Sequence, residues 1–226
     1  MSQVPPTIDL FKHRLRALFE QRSADFKTRR FHKNQIIYAC GDKSEFVYFI
    51  ESGKIKLSTI SLAGKECILS IYSPGDIFGE LGLSEANVYL ETTIAMGKAV
   101  IKQIPCSKFF TLLEAGYLLK GFVGYLVERI AEQQNVITDL VTIDSEKRLG
   151  MTLLRLAKKI GRPVSSSVLI THKLSQEELS VMVGTTRSRI NRFMRGFRDN
   201  NLIEIDDNRL ILVKEKKLKD YLENMN

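Results

Sequence analysis

The chain has no tryptophan and only three cysteines and three histidines in 226 residues. Cys40, Cys67 and Cys106 stand too far apart for any short chelating or redox spacing, so they read as ordinary thiols in a reducing compartment. His13, His32 and His172 are equally scattered, which argues against a zinc site built from sequence-close ligands. Spacing does not bear on a haem, which needs only one or two ligands. No metal and no other cofactor is expected. No apolar run is long enough to cross a bilayer, and the opening MSQVPPTIDLFKHRLRALF lacks the continuous apolar core of a secretory leader. The expectation is a cytoplasmic protein without a membrane partner. Also missing are a GxxxxGK phosphate loop, a paired-carboxylate motif and a nucleophile–base constellation, so no enzyme is expected.

What is present describes a folded chain, 44% hydrophobic and 27% charged, long enough for one large domain or two smaller ones. The net charge of +8 is unevenly spread. Residues 144–226 carry 17 Lys/Arg against 11 Asp/Glu, whereas residues 1–143 carry 17 against 15. That asymmetry points the C-terminal part towards a polyanion.

Three segments follow three different periods. From Phe31 to Ile104, short runs rich in β-branched and aromatic residues alternate with turn signals. The runs are Ile36–Tyr38, Phe46–Ile50, Ile55–Thr59, Cys67–Tyr72 and Ala99–Ile101; the turns are Gly41-Asp42, Ser52-Gly53, Ala63-Gly64 and Pro74-Gly75. Such spacing predicts a two-layered β-roll or small barrel, with Phe11–Phe19 as an amphipathic helix against it. From Leu118 the period changes. Leu119, Val123, Leu126, Ile130, Gln133, Ile137 and Leu140 follow at alternating gaps of four and three, an a/d stripe over three heptads. An apolar seam of that length needs cover, and a strict heptad favours an identical helix, hence a homodimer. Gln133 is a polar residue in the seam, placed to fix register or to touch a ligand. Beyond Thr142, Leu149, Leu153, Leu154 and Leu156 predict a helix stopped by Gly161. RPVSSS is then expected as a loop and VLI as a short strand. The domains implied are 1–117, 118–143 and 144–226, in an α+β chain.

The stretch LSQEELSVMVGTTRSRINRFMRGFRDNNLIEIDDNRLILV is the most informative. Ser175 followed by Glu178 predicts a capping box. Gly184 ends the helix, because a tight turn there needs a residue without Cβ. Thr185 or Thr186 then caps a second helix, giving a helix-turn-helix. On that second helix Ile190, Phe193, Met194 and Phe197 form an apolar face, and Arg187, Arg189, Arg192, Arg195 and Arg198 lie on the other without an acid among them. A rigid guanidinium fork matches guanine or phosphate, so double-stranded DNA is the expected partner. Arg187, Ser188, Asn191 and Arg192, nearest the helix start, are the candidate base readers. Thr185, Thr186, Arg189 and Arg195 are the candidate phosphate contacts. Leu202–Ile205 and Leu210–Val213 around Asp206-Asp207-Asn208 predict a hairpin wing.

In this order (β-roll, long helix, winged helix-turn-helix) the chain resembles the family of the cyclic-AMP receptor protein and the fumarate-nitrate reduction regulator. YFIESGKIKL with SPGDIFGELGL is similar to that family's nucleotide-domain signature, and VGTTRSRINRFMRGFRDNNLI to its recognition motif. The resemblance implies a sequence-specific homodimer on an imperfectly palindromic DNA site, a contact with RNA polymerase, and an effector pocket at Gly79, Glu80, Tyr89, Leu90, Gln133 and Gln134. Arg187 and Arg192 match its base-contacting arginines, with Ser188 where a glutamate is usual. Counting back from Ile104-Pro105, Tyr89 and Leu90 occupy the positions at which cyclic-nucleotide binders carry the phosphate-holding Arg and Ser or Thr. Glu80 would then stand without an opposing cation, with Glu91 adding to the repulsion of a phosphate. Sensing of cyclic AMP through the usual contacts is therefore not expected. The β domain would sense something else or serve as an inert scaffold. The N-terminal cysteine cluster of an iron–sulfur sensor is also missing.

Overall fold

The computed structural model describes residues 7–22, 26–62, 64–84 and 87–225. Of the turn signals, Ala63 lies outside them, as do residues 1–6 of the opening segment. Two compact units divide the chain, one within Met1–Thr59 and Leu69–Gln134, the other within Ile60–Ile68 and Asn135–Asn226.

The first unit opens with α1 (Thr7–Gln21), followed by β1 (Lys27–Phe31), β2 (Ile36–Tyr38), β3 (Phe46–Ser52) and β4 (Ile55–Ile60). Then come β5 (Glu66–Tyr72), β6 (Ile77–Phe78), a 3-10 turn at Glu80–Leu83, β7 (Thr92–Ala95) and β8 (Ala99–Pro105). The helices α2 (Cys106–Ala115) and α3 (Leu119–Thr142) follow. The strands form two four-stranded sheets, ordered β1-β8-β3-β6 and β2-β7-β4-β5. Tyr38, Ile55, Leu57 and Tyr72 of one sheet meet Tyr48, Ile50, Phe78 and Ile101 of the other in a buried core. This is the expected β-roll, with β1, β6 and β7 in addition to the strands read from the sequence.

Phe11, Leu15 and Phe19, spaced four apart on α1, bury one face against Val47, Phe49, Ile104, Phe109 and Phe122. Helix α3 joins this second core through Phe122 and Tyr125. Its heptad stripe points elsewhere: Leu119, Val123, Ile130, Ile137 and Leu140 are exposed and Leu126 is half-buried. The division between the two units falls within α3, at Gln134.

In the second unit α4 (Ser145–Ile160) buries Leu149, Leu153 and Leu156. Asp144 Oδ1 caps it, accepting from the amides of Glu146 at 2.7 Å and Lys147 at 3.0 Å. The expected RPVSSS loop is corrected here. Gly161 does end α4, but Gly161–Val164 is a strand, β9, paired antiparallel with β10 (Ser167–Ile170). The turn between them uses Ser165 at φ 53°, so no Gly or Pro punctuation announces the hairpin. After α5 (Gln176–Val183) and α6 (Arg187–Asp199), β11 (Ile203–Ile205) and β12 (Ile211–Val213) form the wing hairpin. They complete a sheet ordered β11-β12-β10-β9. Helix α7 (Glu215–Glu223) closes the unit, with Leu218 and Leu222 buried.

Candidate nucleic-acid interface and effector region

The start of α5 is the capping box read from the sequence. Ser175 Oγ accepts from the Glu178 amide at 3.0 Å, and Glu178 Oε2 accepts from the Ser175 amide at 2.8 Å. Gly184 ends the helix at φ 69°, in the left-handed region that other residues adopt only under strain. Thr186 is the residue that caps α6, its Oγ1 accepting from the Arg189 amide at 3.3 Å. Thr185 is half-buried, and its Oγ1 has no hydrogen-bond partner among the described residues.

Helix α6 is sharply two-sided. Ile190, Phe193, Met194 and Phe197 are buried, while Arg187, Ser188, Arg189, Asn191, Arg192, Arg195 and Arg198 are exposed. Among the described residues no carboxylate pairs with any of these five arginines, so their charge is open to solvent. The Arg192 guanidinium lies 5.1 Å from the Phe193 ring centroid, still on the exposed side. The free amides at the start of α6 add partial positive charge. Asn191 is engaged by Gln176, whose Nε2 donates to its Oδ1.

Two arginines outside α6 brace this unit. Arg148 on α4 donates from Nε to the Val183 carbonyl at 3.0 Å and from Nη1 to the Ile143 carbonyl at 2.5 Å. Its Nη1 also lies 3.5 Å from the Leu140 carbonyl. Arg155 pairs with Asp139 at 2.5 Å. Together they fix the last turns of α3 to α4 and to the end of α5.

In the first unit, Gly79 takes φ 79°; a Cβ there would sit 3.0 Å from the Phe46 carbonyl oxygen. The next residue, Glu80, does have an opposing cation, which corrects the sequence expectation. Arg129 Nη1 lies 2.8 Å from Glu80 Oε1, both side chains largely buried. The Arg129 guanidinium also lies over Tyr72 at 4.8 Å and Tyr125 at 5.7 Å. Sequence analysis did not single out Arg129. The signal was its spacing: Phe122, Tyr125 and Arg129 recur at three and four, a second stripe on α3 beside the heptad.

Tyr89 and Leu90 part company. Tyr89 is 2% exposed and stacks on Tyr38 with ring centroids 3.6 Å apart, whereas Leu90 faces solvent. The Tyr89 hydroxyl donates to the Phe46 carbonyl at 2.6 Å, and the Tyr38 hydroxyl donates to Glu91 Oε1 at 2.7 Å. Glu91 is itself 2% exposed, and burial raises its pKa, with Glu80 adding to the rise while Tyr38 and Arg129 oppose it. Glu80 Oε2 and Glu91 Oε2 are buried without a hydrogen-bond partner among the described residues. Gln133 and Gln134 are exposed on α3, so within one chain they do not join Glu80 and Tyr89 in the buried cluster. Aromatic rings and an internal ion pair thus lie beside Gly79 and Glu80.

Comparison with known proteins bears on both units. The cyclic nucleotide-binding domain family matches residues 28–115, and the Crp-like helix-turn-helix domain family matches residues 147–221. The "cAMP-activated global transcriptional regulator CRP" of Pasteurella multocida is 30% identical over 173 residues, covering 76% of this chain and 82% of that protein. The "Anaerobic regulatory protein" of Bacillus subtilis is 27% identical over 224 residues, covering 98% and 92%. The structure of FixK2 from Bradyrhizobium japonicum superposes with a TM-score of 0.75 at 15% identity, covering 86% of this chain and 96% of that one, and so shares the fold. Regulators of this kind bind DNA as dimers and contact RNA polymerase, and they are not enzymes. With a cyclic-nucleotide-binding-like domain, a long helix and a DNA-binding helix-turn-helix in sequence, the chain belongs to the CRP/FNR family of bacterial transcription regulators.

Proposed function

We propose that this protein is a homodimeric, sequence-specific regulator of transcription whose β-roll does not read cyclic AMP through the family's phosphate contacts. The observation that carries the DNA-binding part is the exposed face of α6, with five arginines that no carboxylate pairs among the described residues, above four buried apolar residues. Arg187, Ser188, Asn191 and Arg192 would read base edges, and Thr185, Thr186, Arg189 and Arg195 would hold phosphates. Helix α3 would form the dimer spine through its exposed stripe from Leu119 to Leu140. Two recognition helices about 34 Å apart would then enter successive major grooves of an imperfect palindrome. Ser188 can donate or accept a hydrogen bond where a carboxylate only accepts, so its base preference would differ from that of a glutamate.

The names of several relatives, that of Pasteurella multocida among them, say that cyclic AMP activates them. Against carrying that over stand two side chains. Buried Tyr89 stacks on Tyr38, and buried Glu91 adds its negative charge to that of Glu80, which a cyclic phosphate would meet as repulsion.

Fluorescence anisotropy with a pool of genomic fragments tests the DNA-binding reading. Tight, strongly salt-dependent binding is expected. An Arg187→Ala, Arg192→Ala double variant should lose sequence preference, at about 1–3 kcal/mol per contact. Unchanged preference would remove the base-reading roles.

A further inference from the structure

The positive charge of the first unit is gathered at one place. Residues 12–33 carry eight Lys/Arg against two Asp/Glu, whereas residues 34–143 carry nine against twelve. Half of those eight, Lys27, Arg29, Arg30 and Lys33, stand on β1 and the turn that follows it, all exposed. β1 is an edge strand paired only with β8, and five register pairs, from Lys27 opposite Gln103 to Phe31 opposite Ala99, hold it extended. The turn is fixed as well, the His32 amide donating to Gln35 Oε1 at 2.7 Å and the Gln35 amide to the His32 carbonyl at 3.1 Å. Among the described residues no carboxylate pairs with any of these four cations. A charged edge keeps other strands from adding to a sheet, but either sign serves that end, and mixing signs avoids the repulsion that one sign builds in. A surface that docks a protein needs apolar or aromatic anchors. β1 offers none, because Phe31, its one apolar residue, packs against the core between the sheets. Exposed lysine, arginine and threonine without an anchor are the set that meets a phosphate backbone.

We propose that β1 and the turn after it form a second, sequence-independent DNA-contact surface, which takes phosphates of the duplex flanking the site that α6 reads. This inference rests on the DNA-binding reading given above. Each phosphate met there releases counterions, so the flanks add affinity and steepen the salt dependence while the base preference set by α6 stays the same.

Two duplexes test this, both carrying a site that the full-length protein selects from genomic fragments. One ends at the palindrome, and the other runs on by roughly two helical turns at each end. Affinity is measured across a salt series at one dimer per duplex. On the longer duplex a Lys27→Gln, Arg29→Gln, Arg30→Gln variant should show a salt slope shallower than that of the unsubstituted protein, by about 0.9 for each phosphate contact removed. On the shorter duplex the two proteins should agree. A Lys27→Arg, Arg29→Lys, Arg30→Lys variant keeps the charge and should keep the steep slope, and melting temperatures should confirm that all three proteins fold. The proposal is overturned if the glutamine variant matches the unsubstituted protein on the longer duplex, an outcome that would leave the strand to an acidic protein partner. It is overturned equally if the glutamine variant loses as much slope on the shorter duplex as on the longer, because the flanks are then not what β1 meets. Under both outcomes DNA binding by α6 still stands. Failure of the unsubstituted protein to select any site would instead refute the DNA-binding reading.

Discussion

Glu91 is a carboxylate buried against a tyrosine hydroxyl, with one oxygen unpartnered among the described residues. Because burial raises its pKa above the ordinary 4.5, folding takes up a proton between the ordinary and the raised value. The resulting stability is complete below the ordinary value and is lost as pH rises through the raised one. Glu91→Gln keeps the shape and an acceptor for Tyr38 but cannot ionise. Denaturant melts across mildly acidic pH should therefore show the unsubstituted protein losing stability with rising pH relative to the variant, which should be the more stable near neutrality. Parallel curves for the two proteins would show that the carboxylate pays no such penalty. Arg129 belongs to the same cluster, and its partner was invisible in the sequence because 49 positions separate it from Glu80.

Among the elements, α3 makes the clearest demand on its surroundings. Phe122 and Tyr125 face the core, while among the described residues Leu119, Val123, Ile130 (53% exposed), Ile137 and Leu140 of the stripe stay exposed. An identical helix laid along it would remove that apolar surface from water. Ile130→Glu should accordingly give a monomer by sedimentation equilibrium, and an unchanged mass would rule out the stripe as the dimer seam. Elements with a strong period or a cap were legible before any coordinates. The heptad, the capping box, Gly184 and the apolar face of α6 all report local chemistry. Elements held by pairing were less so. The short β6 and β7 and the exposed β1, whose Lys-Thr-Arg-Arg-Phe has little apolar alternation, exist because β2, β3, β4 and β8 supply their partners. Hairpin β9–β10 was missed for the same reason. In the candidate sites, exposure of the arginines followed from periodicity. The Gln176–Asn191 link and the Glu80–Arg129 pair depend on which helix faces which, and no local pattern encodes that.

At the scale of the whole molecule, the fold is that of a family whose members include cyclic-AMP-activated regulators, and the proposed reading is that this β-roll does not take that ligand. Calorimetric titration with cyclic AMP and with cyclic GMP should yield no heat above background. A micromolar dissociation constant for either would refute the proposal that the β-roll does not read a cyclic nucleotide. Among the described residues no single helix is long and apolar enough to cross a membrane. The charge of the chain is concentrated where α6 presents it, so ionic strength should affect DNA retention far more than it affects folding.

Arg148 carries a consequence for how such a protein could be altered. One guanidinium meets the Val183 carbonyl at the end of α5 and the Ile143 carbonyl just past α3, with that of Leu140 close by. A planar fork can serve acceptors in separate directions at once, whereas a lysine ammonium would have to choose. The end of the long helix and the turn that aims the reader helix are thus coupled through one rigid group, and tilting either must carry the other with it.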